Sequence, residues 1–171
     1  MNRKMMTLAT IKPDDLLVMP RWGVGKCQGW QTIESDDYKE KVLAIYFSAK
    51  KLTAYFPKGK ISTVRARGLS SLAEIEECLA VLKSKKPTSR QNWIATLKSY
   101  YQKLHSGELQ KLAELIRDTL IESKKQYDQN FTKREIHNAA IDLWAHEIML
   151  VQNISYEQAR AKIKNSMLQS Q

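Results

Sequence analysis

Cysteine, histidine and long apolar runs are all scarce in this chain, and each shortage closes off a class of function. The 171 residues hold two cysteines, Cys27 and Cys78, in different segments and in no CxxC pair. A disulfide framework or a thiolate zinc site therefore has no ligand set to draw on, and two reduced thiols are expected. The three histidines are His105, His137 and His146. His146-Glu147 opens like HExxH, but Leu150 stands where the second metal ligand is needed, so the i, i+4 pair is missing. No serine lies in a GxSxG turn, and neither cysteine is recognisably placed for activation by histidine. The carboxylate pairs Asp14-Asp15 and Asp36-Asp37 fall in turn or capping contexts, where hydrogen bonds to backbone explain them. The chain reads as a non-enzyme, with no cofactor and no metal.

No apolar run approaches the ~20 residues that a bilayer crossing requires. The N-terminus starts basic but contains neither a continuous apolar h-region nor a small-residue cleavage site. Residues 1–13 are expected to be a flexible leader of a soluble, cytoplasmic and nucleoid-associated protein with no membrane partner.

Acidic residues are the most telling shortage. The net charge is +10. No Asp or Glu occurs from Lys41 through Ala73, nor from Cys78 through Gly107. Those spans carry Lys50, Lys51, Lys58, Lys60, Arg65 and Arg67, then Lys83, Lys85, Lys86, Arg90, Lys98 and Lys103. A charge run often marks only a solvated face. Two in succession favour a polyanionic partner, because each neutralised phosphate releases counterions.

The first seventy residues read as β-structure. "DDLLVMP" is a short strand ended by Pro20, and "WGVGKCQGWQTI" is a second one interrupted by glycines. "SDDYKE" is a turn cluster. "KVLAIYFSA" is a strand with Leu43, Ile45 and Phe47 on one face and Val42, Ala44 and Tyr46 on the other. "SAKK" makes a hairpin loop, and "KLTAYFP" alternates Leu52, Ala54 and Phe56 against Thr53 and Tyr55. Gly23-x-Gly25 with Gly29 does not have GxGxxG spacing, and no GKS or GKT follows. These glycines are read instead as sites of bulging and close approach in a small, strongly bent barrel over residues 14–69.

From Ser70 the hydrophobic period changes to that of helices, and residues 70–171 read as an all-α bundle of about five. Ser71-x-x-Glu74 forms a capping box ahead of Leu72, Ile75, Leu79 and Leu82. Thr88-x-x-Gln91 or Ser89 is expected to cap a second helix running to His105, with Trp93 about one turn in. "SGE" opens a third helix with Leu109, Leu112, Leu115, Ile116 and Leu120 inward. "YDQNF" interrupts the pattern. Thr132-x-x-Glu135 caps a fourth helix carrying Ile136, Ala140, Leu143, Ile148 and Val151, and Ser155-x-x-Gln158 a fifth carrying Ala159, Ile163 and Leu168. The fold class is therefore α+β in two domains.

Trp93 admits two readings. With Leu97 as origin and about 100° per residue, it falls at about −40°, between Leu104 and Tyr100 on the apolar stripe, which suits a core residue. Its early place in the helix and its cationic flank suit an aromatic wedge for an unstacked step of a DNA minor groove. Periodicity leaves both open.

The order of segments carries a resemblance. "VMPRWGVGKCQG" resembles the opening of the polymerase-interacting domain of CarD/CdnL-like bacterial transcription regulators, where V-Y-P-x-x-G-V-G begins a Tudor-like barrel. "LTAYFPKGKISTVRARGL" is similar to that domain's last strands, and "NWIATLKSYYQKLHSGELQKLAELIRDTL" to the family's W-x-x-R-Y and K-L-x-S-G-D segments. "FTKREIHNAAIDLWAHEIMLVQNISYEQA" resembles its closing helix pair. The likeness spans residues 14–168. It implies a barrel that docks on the RNA polymerase β subunit through an edge strand, here Leu52, Thr53, Ala54, Tyr55 and Phe56. Tyr55 departs from the Arg or Met of relatives. It also implies a helical domain that grips promoter DNA with low sequence specificity and stabilises the open complex. The wedge would be Trp93, with Arg90, Lys86, Lys133 and Arg134 facing phosphates, and the protein would act as a monomer on polymerase. The alternative from composition alone is a basic barrel-plus-helix module that binds structured RNA or the ribosome.

Overall fold

The computed structural model describes residues 11–35, 38–59, 66–85, 92–120 and 131–168. The chain divides into two compact units, Met1–Leu69 and Ser70–Gln171, an α+β layout of strands followed by helices.

The first unit is one five-stranded antiparallel sheet. Its strands are β1 (Leu16–Met19), β2 (Gly23–Ser35), β3 (Tyr38–Phe47), β4 (Leu52–Pro57) and β5 (Arg67–Gly68), in the order β4-β3-β2-β1-β5. Leu17, Met19, Cys27, Leu43, Ile45 and Phe47 form its core, joined by Ile11 and Ala66. The alternation of β3 is as its sequence predicts, with Leu43, Ile45 and Phe47 inward. Val42 and Ala44 on the opposite face are also buried, while Tyr46 is exposed. The indole of Trp22 lies against Phe47 and Phe56, at centroid distances of 5.3 and 6.0 Å. Lys50 Nζ sits over that indole and donates to the Arg21 carbonyl at 2.8 Å.

Two glycines meet constraints that a side chain would violate. The β2–β3 register shifts between Cys27 and Gly29, and Gly29 has φ +95, a bulge conformation that an L side chain rarely adopts. At Gly25 an added Cβ would lie 2.5 Å from Ile45 Cγ2 and 2.7 Å from Phe47 Cε1. Among the described residues the sheet remains open between β4 and β5, where the sequence predicts a closed barrel. Two further expectations are corrected. The "SDDYKE" turn is narrower than its composition suggests, because Ser35 pairs with Tyr38 and Lys39 pairs with Glu34 across the ladder at 3.0 Å. Cross-strand pairing of this kind carries polar residues into strands. The leader does not extend to residue 13: Ile11 is buried in the sheet's core, and the Lys12 N–H donates to Asp15 Oδ2 at 2.8 Å.

The second unit packs five helices, α1 (Leu72–Leu82), α2 (Trp93–Leu104), α3 (Leu109–Thr119), α4 (Phe131–Gln152) and α5 (Tyr156–Leu168). Their core holds Trp144, Ile75, Leu115, Ile116, Ile141, Ile148 and Ile163, all fully buried. Both reciprocal caps form. Ser71 and Glu74 exchange bonds of 2.8 and 3.3 Å, and Ser155 and Gln158 exchange bonds of 2.9 and 3.1 Å. The buried Glu147 accepts from the Ser70 N–H at 2.8 Å and so pins the chain's entry into this unit.

Several helix details differ from the sequence pattern. The cap of α2 is Asn92, whose Oδ1 accepts from the Ala95 N–H at 2.9 Å; Thr88 and Ser89 lie outside the described residues. Thr132 lies inside α4, which already includes Phe131, so it is not the cap. Leu72 and Leu168 are exposed, because helix ends outrun their neighbours; Met167 takes the buried place expected of Leu168. On α2, Tyr100 is buried and Leu97 and Leu104 pack on the core, while Ile94 and Tyr101 are exposed. The buried stripe is thus rotated toward Tyr100.

His137, on α4, is partly buried against the end of α3. Thr119 Oγ1 donates to the Leu115 carbonyl at 2.6 Å, which leaves it to accept from His137 Nδ1 at 2.9 Å. Burial, reinforced by Lys133, Lys164 and Arg160, pushes the His137 pKa down from 6.5 to about 4 against a raising bond to Ile116.

Two predictions follow from this packing. Gly25→Ala should destabilise the sheet unit by about 1–3 kcal/mol, the usual scale of overpacking, whereas Gly59→Ala, with open space around it, should be neutral; urea unfolding of the two variants measures the contrast. Because His137 is held neutral by the fold, its contribution is complete above pH 6.5 and is lost as pH falls toward 4. The loss is of order 3 kcal/mol. The difference in unfolding free energy between parent and His137→Gln should narrow over that window, and a pH-independent difference would contradict this account.

Candidate functional site

Trp93 is the first helical residue after the Asn92 cap, and it is 48% exposed. The cause is an overhang. Tyr100 Oη donates to the Asp118 carbonyl at 3.2 Å, so α3 is already at its last turn where Tyr100 packs. Trp93 lies seven residues earlier, about 10 Å further along the axis at the helical rise. Its angular position on the buried stripe is as the wheel predicts, but α3 does not reach that far to cover it. Trp93 therefore opens the helix half exposed and is not sealed in the core.

The α2–α3 pair is fixed by a polar cluster. Lys103 Nζ bonds Asp118 Oδ2 at 2.8 Å and Glu114 Oε2 at 3.0 Å. Arg117 bonds the other Asp118 oxygen, Oδ1, at 2.9 Å. Burial alone would lower the Lys103 pKa, but its hydrogen bonds to Asp118 and Glu114 outweigh it and raise the value. Burial and the Asp118 charge raise the Tyr100 pKa. The nearest acids of α3 are therefore neutralised internally rather than presented to solvent.

A chain of contacts brings four helix termini to one end of the bundle. Arg117 Nη1 donates to Ser84 Oγ at 2.9 Å, tying the end of α1 to the end of α3. Lys133 Nζ donates to the Leu120 carbonyl at 3.3 Å, tying the start of α4 to the same place. A cation on the last carbonyls of a helix also complements its dipole. Arg134 lies in that first turn of α4, with its guanidinium 5.2 Å from the centroid of Phe131. Trp93, Lys133 and Arg134 thus share an end with the exposed Lys83 and Lys85. Lys86 and Arg90 lie outside the described residues.

Two exposed apolar side chains at this end escape the sequence reading: Ile94, 78% exposed, and Phe131, 63% exposed. Phe131 is hidden in the sequence because "YDQNF" scans as an interruption. The available signal is its i, i+3 spacing to Arg134, which places ring and guanidinium on one helical face.

In the sheet unit, Leu52 through Phe56 form most of β4, which pairs with β3 and, among the described residues, ends the sheet on that side. Leu52, Ala54 and Phe56 pack on the core. Tyr55, opposite Ala44 in the register, is half exposed. Among the described residues no His, Cys, Asp or Glu cluster could hold a metal ion, and no helix is long and apolar enough to cross a membrane.

Comparison with known proteins returns the same lineage from two directions. The family model described as the CarD C-terminal domain matches residues 77–164, just over half of the chain and most of the helical unit. The Bacillus subtilis (strain 168) protein named "Putative transcription factor YdeB" is 22% identical over 147 residues, which covers 86% of this chain and 95% of that protein. Strands followed by a capped five-helix bundle, the matched helical segment and a relative aligned across both units agree: the chain belongs to the CarD family.

Proposed function

We propose that this protein is a transcription regulator that binds the RNA polymerase β subunit through β4 and promoter DNA through the end of its helical bundle, where Trp93 stabilises the open complex. Family membership supports the regulatory role. The observation that carries the DNA-binding half is the half-exposed indole of Trp93, set on a capped helix start. An indole in water has no packing reason to be there. A melted base step offers it an apolar surface of matching shape. Lysines and arginines around it would hold phosphates, a contact that carries almost no sequence information.

Delivery to promoters then falls to polymerase. An edge strand meets this need, since strand addition supplies backbone hydrogen bonds with little demand on the partner's sequence. β4 is suited to it, because three of its side chains anchor the strand inward while Tyr55 faces out. A ring that fits open DNA better than closed DNA shifts the equilibrium by that difference in affinity alone.

Trp93→Ala should leave polymerase affinity intact and shorten open-complex lifetime. The expected factor is about 5- to 150-fold, if one stacking contact of about 1–3 kcal/mol sets the scale. Competitor-challenge decay of preformed complexes measures it, and an unchanged lifetime removes the wedge. Tyr55→Asp should do the reverse. It should weaken binding to isolated β subunit by about tenfold, the loss of one well-packed interface aromatic, while DNA affinity measured without polymerase stays at the parent value.

A further inference from the structure

Phe131 is more exposed than Trp93, at 63% against 48%, and it is not among the residues packed on the helical core. A phenylalanine that merely opened a helix would be expected to fold back as a hydrophobic staple and lose its water. This one instead stands in solvent with the Arg134 guanidinium 5.2 Å from its centroid. Cation and ring are held on successive turns of one helical face, a pairing that keeps the aromatic oriented without burying it.

Its position gives that exposure a direction. The Lys133–Leu120 bond fixes the start of α4 against the end of α3, and Tyr100 fixes the overhanging start of α2 to the same end. Two solvent-facing aromatic rings therefore rise from different helices at one end of the bundle. Among the described residues the surrounding charge is positive. Against Glu135 in the same turn stand Lys133 and Arg134, and Lys133, Lys164 and Arg160 all act on the neighbouring His137. Asp118 and Glu114 are already engaged by Lys103.

We propose that the Phe131–Arg134 pair is a second stacking site, one that takes an unpaired base of the strand released when duplex DNA opens. This rests on the DNA-binding reading of the bundle end and adds a residue to it. Opening a base pair exposes two apolar base faces to water. A single ring can fill the gap in the stack but cannot also cover the displaced base. Phe131 offers a second π-face for that base, and Arg134 offers a cation for its phosphate or for the base's other face. Such stacking tolerates any base, because every base has a π-face. It discriminates melted from paired DNA, not one sequence from another.

The test is fluorescence anisotropy of the full chain on two probes of the same sequence, one a blunt duplex and one a fork with unpaired arms. Phe131→Ala should bind the fork about tenfold more weakly and the duplex within about twofold of the parent, with an unchanged salt slope, since no phosphate contact is lost. Phe131→Leu, apolar but without a π-face, should behave like the alanine variant, and Phe131→Trp should restore fork binding. Arg134→Gln should instead lower the salt slope by about one. Thermal melting of each variant at the parent temperature establishes that folding is intact, as expected for so exposed a ring. Equal losses on both probes, parental fork binding by Phe131→Ala, or parental binding by Phe131→Leu would each overturn the second stacking site. If Trp93→Ala weakens fork binding while Phe131→Ala does not, this inference fails and the DNA-binding reading stands. If the parent protein itself does not bind the fork at low salt, both fail.

Discussion

Lys103 reaching from α2 to the carboxylates of Asp118 and Glu114 is the contact on which the presentation of the bundle end depends. All three side chains are largely withdrawn from water, so the attraction must offset a desolvation cost, and its net contribution to stability is small. Its effect is on register. With Tyr100 bonded to the Asp118 carbonyl and Arg117 closing the far side of the carboxylate, α2 cannot slide along α3 without stranding a buried charge. That register sets how far α2 projects. The same cluster neutralises the acids of α3, so a short set of ion pairs governs both the shape of the end and the sign of its field.

The sheet unit solves a different problem. Among the described residues nothing pairs with the outer margin of β4, and an unpaired margin invites association with other chains. Here the inward anchors Leu52, Ala54 and Phe56 keep the strand firmly in place, and the Trp22–Phe47–Phe56 aromatic cluster stiffens it from below. Close packing at Gly25 and the bulge at Gly29 fix the register of the strands behind it. Each of the two units thus has a core of its own.

Much of this was legible in the sequence, for reasons that differ by element. Of the four capping boxes in the sequence, Ser71-x-x-Glu74 and Ser155-x-x-Gln158 form as written, being local chemistry with donor and acceptor three residues apart, whereas Thr132-x-x-Glu135 does not. The inward face of β3 follows from strict alternation. What the sequence could not supply is where one helix stops relative to another. Leu72, Leu168 and Ile94 occupy apolar positions on their helices but lie beyond the reach of neighbouring side chains. Trp93 is ambiguous for the same reason, because angular position is periodic and axial position is not. Thr88, Ser89 and Asn92 all have capping chemistry, and only the folded backbone shows that Asn92 caps. Phe131 is hidden at the edge of a segment whose composition scans as an interruption.

The Asn92 cap has a thermodynamic consequence for the side chain that follows it. An aromatic carried on a loose loop would surrender backbone freedom on docking, at about 1–2 kcal/mol for each residue ordered. Trp93 stands on a turn whose torsions the Asn92–Ala95 bond and the helix have already fixed, leaving only its two side-chain rotations to freeze. The entropy is spent during folding, so any partner that docks on the indole meets little further ordering cost.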